Sequence, residues 1–106
     1  MMTSVEPIAS GIAGEVFLWP ISPVEWPGMI NHRPCQAAIR ITDEAGRTVA
    51  RVESGADGRF EVMLVPGVYR LHPEPRATRP PPAEQTVTVP ANGFASVRIT
   101  YDSGKR

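Results

Sequence analysis

Two histidines, His32 and His72, and one cysteine, Cys35, are the side chains of this chain whose types best suit chemistry. A histidine pair can exchange protons near neutral pH or ligate a metal. Each borders a proline-rich segment, 20–34 or 73–83, and the second segment adds Arg76 and Arg79. An enzyme of small-molecule metabolism could use the two histidines with nearby arginines. The plainer reading of each histidine is a solvated side chain beside a loop. Cys35 would need an activating neighbour to act as a nucleophile. His32 is three residues away, but nothing in the sequence puts the two in contact, and a small half-buried hydrophobe is the simpler reading. A single cysteine excludes an internal disulfide and any multi-cysteine zinc site. Asp57-Gly58 provides one carboxylate where calcium wants several oxygen ligands. No catalytic residue, metal or cofactor is expected.

The residues suited to contact lie in segment 20–34. Trp26, Met29 and Ile30 stand there among Pro20, Pro23, Pro27 and Pro34. Proline reduces the entropy lost on ordering a loop, and Trp and Met are common at interfaces. Either Trp26 and Ile30 fold back to cap a core, or they face a partner. Segment 73–83 contains Pro80-Pro81-Pro82 and reads as partly polyproline II. It is a stiff crossover or a ligand for an aromatic groove.

Composition narrows the classes. The 106 residues carry 11 basic and 11 acidic side chains. They contain no basic block with interleaved aromatics, so no nucleic-acid partner is expected. No apolar run reaches the ~18 residues of a membrane span. Residues 1–10 read as a flexible segment without the basic and apolar regions of a signal peptide. The compartment is cytoplasmic, or envelope or secreted if a targeting segment has been removed. One domain, 11–103, is expected, as a monomer or weak dimer.

The elements that must position these residues read as seven strands. Ile12 to Trp19 alternates with Ile12, Gly14, Val16 and Leu18 on one face, and such period-two alternation marks a half-buried strand. Gln36 to Thr42 follows, with Ala37, Ile39 and Ile41 inward. The turn Asp43 to Gly46 leads to Arg47–Glu53, where Val49, Ala50 and Val52 share no face, so an edge strand or a bulge is expected. Phe60, Val62 and Leu64, then Tyr69 and Leu71, read as a hairpin about a type II turn at Pro66-Gly67. Glu84 to Val89 follows, and Asn92-Gly93 is a second hairpin signal. The last strand holds Ala95, Val97, Ile99 and Tyr101 inward.

Strands at this spacing predict an all-β fold, a seven-stranded antiparallel Greek-key sandwich. If successive strands alternate in direction, segments 20–34, 54–56 and 73–83 and the C-terminus share one end. The opposite end has only tight turns. Long loops in a compact domain concentrate function, so the long-loop end is the candidate site.

Gly58-Arg59-Phe60 with Leu64-Val65-Pro66-Gly67-Val68-Tyr69 resembles the carboxypeptidase regulatory-like domains, which are prealbumin-like (transthyretin-type) sandwiches. Gly11 to Val16, Ala38 to Asp43 with Gly46, Thr86 to Val89, and Tyr101 to Gly104 extend the resemblance to small stand-alone bacterial members. It implies an accessory, spacer or ligand-binding module, and these matches are turn and core residues that carry fold, not activity. Small members often pair cysteines in the first long loop, whereas here Ser22 occupies such a context. The transthyretin-like hydrolases end in Tyr-Arg-Gly-Ser, but this chain ends Tyr101-Asp102-Ser103-Gly104-Lys105-Arg106. The isopeptide bond of collagen-adhesin domains needs an early-strand lysine, and the only lysine is Lys105. The expected function is therefore a non-enzymatic module contacting a protein or glycan through the long-loop end. Its binding residues would be Trp26, Met29, Ile30, His32, His72, Arg76 and Arg79. The alternatives are the His32/His72 hydrolase and a structural spacer.

Overall fold

The computed structural model describes residues 9–76 and 81–104. It contains eight strands: β1 (Ser10–Trp19), β2 (Arg33–Pro34), β3 (Ala38–Asp43), β4 (Thr48–Glu53), β5 (Arg59–Met63), β6 (Gly67–Pro73), β7 (Gln85–Val89) and β8 (Gly93–Asp102). No helix forms among the described residues. In one sheet β1 lies between β8 on one edge and β5 with the two-residue β2 on the other. The second sheet has the order β4-β3-β6-β7. Alternation drives the facing. Ile12, Val16, Phe60, Ile99 and Tyr101 of the first sheet form one buried cluster with Ile39, Ile41, Tyr69, Leu71, Val87 and Val89 of the second. A lone sheet face must bury itself against another layer, and here each sheet covers the other.

The structure corrects four expectations. The strands flanking Pro66-Gly67 do not pair: β5 pairs with β1, and β6 pairs with β3 and β7. The connection crosses between sheets, and Gly67 has φ 156°, nearly extended, not the ~80° of a type II turn. Asn92-Gly93 is likewise a crossover, since β7 and β8 belong to different sheets. The sandwich is not wholly antiparallel, because β8 runs parallel to β1 from Ser10↔Gly93 to Trp19↔Asp102. The ordered domain also begins earlier than residue 11: Ser10 belongs to β1, and Gly93 N–H donates to the Ala9 carbonyl. The flexible segment assigned to 1–10 otherwise falls on residues 1–8, outside the described residues.

The poorly alternating strand is both an edge and bulged. Ile41 pairs with Ala50 and Thr42 with Thr48, so Val49 is the extra residue on β4. The β3–β4 turn forms as read. Gly46 takes φ 84°, and Asp43 Oδ1 accepts from the Ala45 and Arg47 backbone N–H groups.

Candidate functional site at the long-loop end

Hydrogen bonds between segments distant in sequence gather the expected segments at one end. Ser54 N–H donates to the Ala37 carbonyl, and Glu74 N–H to that of Ala38. Buried Ser54 Oγ donates to the Cys35 carbonyl at 2.6 Å and accepts from Ala37 N–H at 2.9 Å. Ser103 N–H donates to the Trp19 carbonyl, and its Oγ to that of Pro20. The ends of β1, β4, β6 and β8 and the start of β3 therefore meet, as the parity of the strands requires.

From this base segment 20–34 projects as an arm. Its neck is closed by Asn31, which is buried. The Asn31 carbonyl accepts from Ile21 N–H, its Oδ1 from Ser22 N–H at 2.9 Å, and its Nδ2 donates to the Ser22 carbonyl at 3.2 Å. The tip is a type II turn. Met29 N–H donates to the Trp26 carbonyl, with Pro27 and Gly28 between them and Gly28 at φ 83°. On this frame Val24, Trp26 and Ile30 are 61%, 59% and 75% exposed. Trp26 and Ile30 do not fold back over the core. Met29 is half-buried.

The histidines are not brought together. The His32 ring meets Phe17 edge-on, with centroids 4.8 Å apart. Val16 faces the core, so Phe17 places His32 on the outer face of the β1 sheet. There the Arg98 guanidinium also stacks on the Phe17 ring, 4.9 Å from its centroid. His72 follows core-facing Leu71 and lies on the outer face of the other sheet. Its Nδ1 is 2.7 Å from Glu84 Oε2, and its Nε2 is 2.7 Å from Thr42 Oγ1. Two sheets separate the rings, and the joint acid–base or metal site expected of them does not form. Both histidines border the loops in sequence, but His32 packs against Phe17 of β1 whereas His72 lies within β6, and these strands belong to different sheets.

Arg76 lies at the long-loop end, beside Cys35. Arg79 falls outside the described residues. Cys35 is buried, and that burial pushes its thiol up despite the opposing pull of Arg76 and Arg33. A thiol kept protonated is the inert kind. Sequence reasoning passed over Asn31, Ser54 and Arg33. Pro27-Gly28 does signal the turn at the arm's tip, whereas nothing local marks Asn31 as its clamp. Among the described residues, no three His, Cys, Asp or Glu side chains group as metal ligands. No protein-family model matches the chain, and no curated protein matches it.

Proposed function

We propose that this protein is a prealbumin-like β-sandwich module that binds a partner protein through the arm 20–34, without catalysing a reaction. The observation that carries this reading is Trp26 and Ile30 held in solvent on a braced frame. Large apolar side chains left exposed on an ordered support mark interaction sites more often than isolated exposure does. An arm fixed in advance loses little entropy on binding, and Trp is the commonest hot-spot residue. The prealbumin-like assignment draws support from the two facing sheets and from the turn residues at Asp43–Gly46 and Asp57-Gly58.

The test is a binding measurement. Proteins captured on the immobilised domain are purified, and their affinity is measured against wild type and the W26A/M29A/I30A variant. A loss of at least about tenfold, ~1.4 kcal/mol, with an unchanged circular-dichroism spectrum is expected. A folded triple variant that binds every purified partner as wild type does would refute the proposal. Retention of only glycans, on a glycan array, would redirect it to a carbohydrate ligand.

A further inference from the structure

A second feature of the same end is chemically unlike the arm. Arg33, Pro34, Cys35, Gln36, Ala56 and Arg76 line an open cleft of about 230 Å³. Among the described residues neither Arg33 nor Arg76 forms an ion pair. Two carboxylates close to these lining residues in sequence have partners of their own. Both oxygens of Glu74 are taken by Arg51, at 2.7 and 3.1 Å. Asp57 Oδ1 accepts from the Arg59 backbone N–H in its turn. The cleft thus gathers two arginines and Gln36, and no Asp or Glu is among its lining residues.

We infer that this cleft is an oxyanion-binding site that takes a carboxylate or phosphoryl group between Arg33 and Arg76. Guanidinium groups hold such anions through paired N–H donors. A partly walled cleft also screens charge less than open water does. Both arginines pull on the Cys35 thiol, so their positive field reaches the cleft wall. Burial of the thiol favours its uncharged form at the cleft wall. Carboxylate and phosphoryl ligands share this recognition, and the choice between them is an outcome of the experiment. The inference does not rest on the arm, since none of Trp26, Met29 or Ile30 lines the cleft.

The experiment is an amide-resolved NMR titration of the full chain with inorganic phosphate, acetate and chloride at constant ionic strength. Saturable shifts confined to the amides of Arg33, Cys35, Gln36, Ala56 and Arg76 are expected with phosphate, acetate or both. Phosphate alone would identify a phosphoryl ligand, and both would identify oxyanions in general. The R33Q/R76Q variant should lose the shifts, and R33K/R76K should retain them at least tenfold more weakly. The W26A/M29A/I30A variant should titrate as wild type. Shifts that chloride reproduces, or that survive in a folded R33Q/R76Q variant, would overturn the inference. So would the absence of saturable shifts with either oxyanion.

Discussion

Tyr101, near the end of β8, donates its hydroxyl to the carbonyl of Glu74, just beyond β6, at 2.5 Å. The bond joins the two sheets at the long-loop end, and the Tyr101 ring is 1% exposed. Burial raises the phenol to about 12, so it ionises well above the ordinary tyrosine.

Replacing Tyr101 by Phe keeps the ring and removes the bond, at an expected cost of ~1–2 kcal/mol. Replacing it by Ala should cost ~3–5 kcal/mol. The pH dependence has a definite sign. The folded phenol holds its proton more tightly than the unfolded one, so its contribution is intact below pH ~10. It is lost as pH rises toward about 12. The stability gap between wild type and Y101F, measured by urea unfolding, should therefore narrow over that window. A gap that widens there would contradict the assignment.

Gly14 lies beneath the ring of Phe60, its register partner on β5. A Cβ at Gly14 would stand 2.2 Å from Phe60 Cζ and 2.8 Å from Val97 Cγ2. G14A should cost ~1–3 kcal/mol by overpacking. The cost should shrink in an F60L background, where the ring is gone. A double-mutant cycle by thermal unfolding measures this coupling, and strict additivity would mean that the ring is not the obstacle.

Ser54 satisfies two backbone groups at once, as donor to Cys35 and acceptor from Ala37. S54A leaves a buried N–H unpaired, at an expected cost of ~1–3 kcal/mol. S54T keeps the hydroxyl and should recover part of that loss. Urea unfolding of both variants provides the check, and equal losses would argue for steric effects over hydrogen bonding.

Asn31 separates bracing from contact in the arm. N31A removes the side-chain bonds to Ser22 while leaving Trp26, Met29 and Ile30 in place. Its expected effect is weaker partner binding together with faster Trp26 motion, read by fluorescence anisotropy decay. The W26A substitution should change stability by no more than ~0.5 kcal/mol, as exposed positions do. Unaltered Trp26 motion in N31A would show that the neck does not order the tip.

The same dipeptide shows how far local reading reaches. Pro27-Gly28 forms a type II turn, whereas Pro66-Gly67 carries the chain between sheets. Proline and glycine restrict or free φ at their own positions, but which strands pair is decided by partners far along the chain. Alternation identified the inward residues Ile12, Val16, Ile39, Ile41, Leu71, Ile99 and Tyr101, because facing has period two whatever the pairing. Strand parity also brought the ends of the long segments together, because strand direction alternates along the chain. The failed pairing of His32 with His72 lay beyond such rules, since it turned on the sheet to which each neighbouring strand belongs. Asn31 and Arg33 acquire roles only through the path of the arm, which no periodicity encodes.

The parallel pairing of β1 with β8 has a consequence for the order in which this chain can fold. The central strand of one sheet is made first, and its neighbour on one side is made last. On the ribosome β1 must wait with that edge open until the final strand emerges. Pairing of such distant segments carries a large loop-closure cost and slows folding. Loss of β8 would expose the β1 edge and uncover Ile12 and Val16, leaving a species prone to strand-on-strand aggregation.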